Sequence, residues 1–196
     1  MNDYSALPIF HFVRGTTIVQ AEPNRGQAVT LASPAMEVIT DLLQTRAATT
    51  PPTASLDQAE QLMIHQGVRL LFVVSEMPSV MGLVTTTDLH GDKPMRVIQQ
   101  RNVRHADLTV ADVMTELSGL DAIHYEDLRS AVVSNVVATL KRAGRRHLLV
   151  VEGGTPAKPA VIRALISASQ VERQLGMRID MMEIASSFAE IRSALN

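Results

Sequence analysis

The sequence predicts a mixed α/β (α+β) fold built from two copies of one unit. Apolar, β-branched runs typical of buried strands alternate with amphipathic segments at helical spacing. The order helix, short strand, helix, strand, strand, helix occurs twice. Two motifs carry the repeat most clearly, because Gly144–Val151 echoes Gly67–Val74, and Ala164–Val171 echoes Gly82–Leu89.

The first copy opens with a short helix and a short strand. Pro34, preceded by serine, is a favourable helix start, and the strand at residues 47–50 is stopped by two prolines. A capping box, Ser55-x-x-Gln58, then opens the central helix, which Gly67 ends.

Two apolar runs, residues 68–74 and 80–84, predict paired buried strands in the first copy. Gly82, inside the second run, marks the close approach of another backbone or of a ligand. A short helix then runs to Gly91 and a longer one to about Arg101.

The second copy differs from the first in two lengths. Its central helix, with Asp127 as the cap, spans 16 positions from Leu128 to Gly144, against 11 positions in the first copy. We therefore expect about one extra helical turn. The turn between its paired strands, residues 152–159, is longer as well.

The tail at residues 177–196 predicts an amphipathic helix. Ile184, Phe188, Ile191 and Leu195 form one apolar stripe along it. Docking on its own domain and contact with a second copy both remain open.

Composition limits the class of function. The 196 residues are 46% hydrophobic but only 3% aromatic, carry a net charge of −2 and contain no cysteine. These values exclude disulfides, thiolate metal sites and cysteine nucleophiles, and they argue against nucleic-acid binding. The sequence shows no signal-peptide pattern and no apolar run of membrane-spanning length. We therefore expect a cytoplasmic protein.

A polar motif stands where the second long strand of the first copy enters a helix. Thr85, Thr86, Thr87 and Asp88 follow the strand directly. The first turn of a helix leaves N–H groups unpaired and attracts anions, so hydroxyls and a carboxylate there suit a ligand with phosphate and sugar. The same Thr85-x-x-Asp88 spacing is a capping box in its own right. A cap and a ligand site are compatible, and both interpretations stay open.

The repeated unit, ending in Gly-aliphatic-aliphatic-Thr-x-x-Asp, resembles the CBS domain, named after cystathionine β-synthase, and two in tandem resemble a Bateman module. The similarity rests on Val38–Thr40, Val113–Thr115, the paired apolar strands and Gly82–Asp88. Residues 170–176 and 187–195 are also similar to small stand-alone bacterial CBS-pair proteins. The resemblance implies two β-α-β-β-α units packed sheet to sheet with pseudo-twofold symmetry, which pair again into a homodimer.

On this resemblance the chain divides into five parts. They are an N-terminal extension (1–33), a first CBS domain (34–102), a linker (103–109), a second CBS domain (110–176) and the C-terminal amphipathic helix (177–196).

The resemblance also implies an adenosine-containing ligand between the repeats, as an effector and not as a required cofactor. Asp88 matches the family aspartate that binds the ribose hydroxyls, and Thr85 and Thr87 match hydroxyl positions near the phosphate. Arg69 is either a phosphate ligand or a solvated arginine at the start of its strand. The implied adenine slot is lined by the first short strand and by the start of the second strand: Ala48, Thr49, Thr50, Val68, Arg69 and Leu70.

The second repeat departs from the family pattern. Gln170 stands where the aspartate is expected, and Ala164 where the glycine is. Because an amide lacks the charge that strengthens a carboxylate hydrogen bond, we expect this site to be weaker or empty. Ser167-x-x-Gln170 is also a good capping box. Further candidates here are a hydroxyl, a basic strand start and a histidine on the first short strand: Ser169, Arg145, Arg146 and His124.

The resulting prediction is a regulatory sensor that binds an adenine nucleotide of the AMP, ADP or ATP class and signals to a separate effector protein. The alternative is a ligand-free dimerisation or interaction module in which Thr85 and Asp88 only cap a helix. An enzyme is not expected, because the sequence shows no Ser/His/Asp arrangement, metal-ligand spacing or Walker-type loop.

Overall fold

The computed structural model describes residues 28–154 and 159–180. Most of the predicted N-terminal extension, most of the predicted C-terminal helix, including its apolar stripe, and part of the turn at residues 152–159 therefore lie outside the described residues. Eight strands are present in the described ranges: β1 (Ile39–Asp41), β2 (Thr49–Thr50), β3 (Leu70–Glu76), β4 (Ser79–Thr85), β5 (Thr115–Glu116), β6 (Ala122–His124), β7 (His147–Glu152) and β8 (Val161–Ser167). The α-helices of the same ranges are α1 (Leu56–Gln66), α2 (Thr86–His90), α3 (Asp92–Arg101), α4 (Val110–Val113), α5 (Tyr125–Arg129), α6 (Val133–Ala143) and α7 (Ala168–Leu175).

The strands form two four-stranded sheets with equivalent connectivity. One has the order β2-β3-β4-β5 and the other β6-β7-β8-β1. In each sheet a short strand runs parallel to a long one, and the other neighbours are antiparallel. The α/β prediction with an internal repeat is confirmed.

The first short strand of each repeat joins the sheet of the other repeat. β1 pairs with β8, where Thr40 lies opposite Leu165, and β5 pairs with β4, where Thr115 lies opposite Leu83. Each sheet thus contains residues from both predicted CBS ranges. The ranges describe the repeat along the sequence, and as domain boundaries they stay a prediction.

The two sheets face each other, and helices cover their outer sides. Leu70, Phe72 and Val74 of β3 pack in one cluster with Leu149 of β7. The alternate residues Leu71 and Val73 pack instead against α1, α2 and α4. A strand buried on both faces needs apolar residues at every position, which explains the unbroken apolar run in the sequence.

The prediction of a longer central helix in the second repeat is wrong. α1 and α6 both contain 11 residues, and the start of the predicted helix at Leu128 belongs instead to the separate helix α5, which ends at Arg129. Asp127 therefore does not cap the central helix. The chain breaks because the Ala35 N–H donates to the Ala131 carbonyl (2.9 Å) and Pro34 forms a bridge with Val132. The Val132 N–H then donates to Asn135 Oδ1 (3.0 Å), which organises the start of α6.

Two other local predictions need adjustment. The helix expected after Ser33 is a single 3-10 turn, Ala35–Val38, that leads into β1. Ser33 accepts a hydrogen bond from the Thr30 N–H instead of capping it. The strand expected at residues 68–74 is β3, displaced by two residues toward the C-terminus.

The capping box at the start of α1 is expected to make a measurable contribution to the free energy of unfolding. Ser55 Oγ accepts from the Gln58 N–H (3.1 Å), and Gln58 Oε1 accepts from the Ser55 N–H (3.0 Å). Ser55→Ala is expected to lower the free energy of unfolding by about 1 kcal/mol in urea denaturation, because a helix N–H loses its acceptor. Ser134→Ala, at an exposed position inside α6, is the control. Equal losses in the two variants would contradict the capping role.

Candidate functional site

Two clefts open between the repeats, and each combines a strand–helix junction of one repeat with a strand start of the other. The Asp88 cleft, of about 430 Å³, is lined by Thr85, Thr87 and Asp88 together with Arg145 and Arg146. The Gln170 cleft, of about 530 Å³, is lined by residues that include Ser167, Gln170, Ala48 and Val68. Four residues line both clefts: Arg69, Leu70, His147 and Ser169.

The residues that line each cleft differ from the two groups expected from the sequence. Val68 was expected beside Asp88, and Arg145 and Arg146 were expected beside Gln170. In the structure Val68 lines the Gln170 cleft, and both arginines line the Asp88 cleft. The exchange follows from the face-to-face packing of the sheets, which brings the strand start of one repeat to the junction of the other.

Three predicted residues do not join either cleft. Thr50 is buried, and Thr49 lies in an adjoining groove with Arg46 and Gln66. His124 lies in a separate groove that is lined by Tyr125, Glu126, Asp127 and Glu152, among others.

The Asp88 carboxylate has partners on both oxygens. Oδ2 accepts from the Thr85 N–H (2.9 Å) and the Thr85 hydroxyl (2.7 Å), and Oδ1 lies 2.5 Å from Lys93 Nζ. The Asp88 N–H in turn donates to Thr85 Oγ1 (3.3 Å), so the capping box exists. A carboxylate has about four acceptor positions, and three are used here. The geometry is thus compatible with both a cap and one further hydrogen bond from a ligand.

Lys93 connects this motif to the second repeat. Besides contacting Asp88, its ammonium donates to the Val113 carbonyl (3.0 Å) and to Thr115 Oγ1 (2.9 Å). An ammonium has three N–H donors, so all of them are used. Lys93 was not predictable from the sequence as part of this motif, because its partners at 113 and 115 lie 20 and 22 positions away.

The Gln170 side is organised differently. Thr40 of β1 donates to Gln170 Oε1 (2.9 Å), and the hydroxyl oxygens of Ser167 and Ser169 are 2.9 Å apart. Ser167 makes no side-chain cap hydrogen bond to α7. The capping box predicted for Ser167-x-x-Gln170 is therefore wrong, because the two serines bond each other and the glutamine oxygen is held by β1.

Three arginines line each cleft, with Arg69 common to both, but the two sets differ in their ion pairing. Arg46, Arg69 and Arg173 line the Gln170 cleft, and none of them has an ion-pair partner among residues 28–154 and 159–180. In the Asp88 cleft, Arg146 is paired with Glu172 (2.9 Å). Arg46 and Arg173 were not among the site residues predicted from the sequence. Arg173 lies one helical turn after Gln170, and that spacing was the available signal.

His147 lies between the clefts in a neutral form. Burial, assisted by the positive charges of Arg146 and Arg69 and opposed by Asp88, lowers the pKa of its imidazole to about 4. At pH 7 a neutral imidazole can donate one hydrogen bond and accept another.

Within the described ranges, no group of three or more His, Asp or Glu side chains is arranged to hold a metal ion. No helix among the described residues has both the length and the apolar character required to cross a membrane.

Comparison with known proteins finds a family match for most of the first repeat. Residues 39–91 match the family model of the CBS domain. No curated protein matches this chain in sequence.

Several solved structures share the fold. An uncharacterised conserved protein from Pyrococcus horikoshii is 18% identical, with a TM-score of 0.52 over 78% of this chain and 98% of that chain. A CBS-domain-containing protein from Agrobacterium tumefaciens is 16% identical, with a TM-score of 0.52 over 74% and 94% of the two chains. CBSX2 from Arabidopsis thaliana, in complex with AMP, is 19% identical, with a TM-score of 0.50 over 72% and 94%.

Proposed function

We propose that this protein is a regulatory module that binds an adenine nucleotide between its repeats, because residues 39–91 match the CBS-domain model and the chain has the fold of CBS-pair proteins. One observation carries the proposal. In each cleft, hydroxyl side chains at a strand–helix junction face a basic strand start of the opposite repeat. A protein of the same fold, CBSX2, is in complex with AMP.

The side chains suit the three parts of a nucleotide. Threonine or serine hydroxyls and arginine guanidinium groups donate to phosphate oxygens. The remaining acceptor position of Asp88, or the Gln170 amide, suits ribose hydroxyls. In the Gln170 cleft, Ala48, Val68 and Leu165 provide apolar surface for a base.

The position of the clefts supports a regulatory role. A ligand there contacts both repeats, so its binding favours the arrangement of the two sheets that fits it best. It shifts the equilibrium only by its difference in affinity for the two arrangements. We further propose that the protein forms a homodimer and that this homodimer signals to a separate effector protein. The proposed function includes no catalytic role.

One observation favours a second candidate function. Both Asp88 oxygens already have partners within the chain. The same structure therefore serves a ligand-free interaction module in which Asp88 caps α2 and is tied to Lys93.

Thermal unfolding against AMP, ADP, ATP, S-adenosylmethionine, NAD and cyclic dinucleotides tests the proposal. A ligand that binds only the folded state, at a hundredfold excess over its Kd, adds about 2.7 kcal/mol of stability. An increase in Tm with an adenine-containing ligand supports the nucleotide module. No increase with any of them at millimolar concentration contradicts it and favours the interaction module.

Asp88→Ala is expected to weaken a ribose-bearing ligand bound in the Asp88 cleft about 10- to 100-fold, since a charged hydrogen bond contributes about 1.5–3 kcal/mol. Isothermal titration calorimetry measures the loss. Asp92→Ala, whose carboxylate is four residues away and 85% exposed, is the matched control. Asp88→Asn, which keeps an acceptor for the cap, separates loss of charge from loss of folding. Unchanged affinity in a folded Asp88→Ala protein would exclude the ribose role.

A further inference from the structure

We propose that the Gln170 cleft binds a ligand carrying two or more phosphate groups, and that Arg46, Arg69 and Arg173 bind those phosphates. This inference rests on the proposed function and specifies the ligand class of one of its two clefts. It also reverses the expectation that the site at Gln170 is weaker or empty.

The charge of the lining is the first argument. The Gln170 cleft contains three arginines and no carboxylate in its lining, and these arginines have no ion-pair partner among the described residues. The Asp88 cleft is also lined by three arginines, because Arg69 is shared, but there Asp88 offsets part of the positive charge, Arg146 is held by Glu172, and Arg145 lies 3.9 Å from Asp121. A phosphate group carries a charge of about −1.5 to −2 at pH 7, so three free guanidinium groups match more than one phosphate.

The helix that begins in this cleft is the second argument. α7 has eight residues, and its N-terminus has no side-chain cap, so the Ser169 and Gln170 N–H groups have no intrahelical acceptor. At the equivalent position in the Asp88 cleft, Thr85 and Asp88 cap α2. The Gln170 cleft therefore combines an open helix N-terminus, which attracts anions, with the three arginines.

The glutamine itself is the third argument. Thr40 holds Gln170 Oε1 (2.9 Å), which orients the amide and leaves its NH₂ group as a donor. A carboxylate at this position would repel a polyphosphate, whereas a neutral amide does not. The departure from aspartate in the second repeat is thus consistent with a ligand of higher negative charge.

Calorimetric titration of the full chain with AMP, ADP and ATP tests this inference. For the Gln170 cleft we expect ADP or ATP to bind at least about tenfold more tightly than AMP. Arg173→Gln should weaken ADP and ATP about tenfold, because the phosphates lose a charged hydrogen-bond donor. Arg142→Gln, at an exposed arginine of α6 outside both clefts, is the control and should change neither affinity. Far-UV circular dichroism checks that each variant is folded.

The outcomes separate this inference from the proposed function. AMP binding as tightly as ADP and ATP, or equal effects of Arg173→Gln and Arg142→Gln, would overturn the polyphosphate assignment while leaving a nucleotide module. If none of the three nucleotides binds the unmodified protein, both proposals fail. Tighter ADP or ATP binding that Arg173→Gln removes and Arg142→Gln retains supports both.

Discussion

Gly82→Ala is expected to lower the free energy of unfolding by about 3 kcal/mol, at the upper end of the usual cost of overpacking. An alanine Cβ at this position would lie 2.2 Å from the Thr115 carbonyl oxygen and 3.0 Å from the Glu116 Cα. Both atoms belong to the backbone of β5, so relief of the clash requires a shift of the whole strand. Urea denaturation of the variant and the unmodified protein measures the loss.

Gly119→Ala is the control for this prediction. A Cβ at Gly119 would have the Thr115 Cγ2 as its nearest atom, at 3.6 Å, which is an ordinary contact. We expect a change of less than about 1 kcal/mol. If Gly82→Ala is as stable as Gly119→Ala, then β4 and β5 do not pair as described, and the strand exchange between the repeats is in doubt.

Gly82 also illustrates which structural features can be predicted from short sequence motifs. A glycine within a strand predicted the close approach of a backbone or a ligand, and the structure shows a backbone. Ser55, Gly67 and Gly91 mark helix ends in the sequence and in the structure alike. Caps and helix stops are predictable because their partners lie within a few residues along the chain.

The composition of the clefts was not predictable in the same way. β1 and β5 have three and two residues, too few to show a periodicity, and β1 pairs with a strand more than a hundred residues away. Thr40 and Gln170, which touch in the Gln170 cleft, are 130 positions apart. Because these long-range pairings are not visible in the sequence, each strand start was expected beside the strand–helix junction of its own repeat. In the structure, Val68, Arg145 and Arg146 lie beside the junction of the opposite repeat.

The prediction of a longer central helix in the second repeat was wrong for a related reason. Residues 125–143 contain helix-compatible residues throughout, so the local pattern gave no reason to divide them. The division into α5 and α6 comes from the hydrogen bond between Ala35 and Ala131, two residues 96 positions apart. A tertiary contact thus overrides a continuous helical pattern.

The stability of the protein is expected to fall by up to about 3 kcal/mol between pH 7 and pH 4 because of His147 alone. The pKa of this imidazole is about 4 in the folded protein, against about 6.5 in the unfolded chain. Below pH 6.5 the unfolded chain therefore binds a proton that the folded chain excludes until about pH 4. The contribution is complete above pH 6.5 and is lost progressively as the pH falls, at about 1.4 kcal/mol for each unit of pKa difference.

Comparison with His147→Gln isolates this contribution. Glutamine is neutral and polar, and it fits between the clefts without a titrating group. The other histidines, and carboxylates such as Asp41, whose pKa is lowered chiefly by its hydrogen bond with Arg163, act equally in both proteins. Urea denaturation at several pH values between 4 and 7.5 should therefore show a steeper loss in the unmodified protein. Parallel curves would mean that His147 is solvated, and that Arg69 and Arg146 do not lie close enough to oppose its protonation.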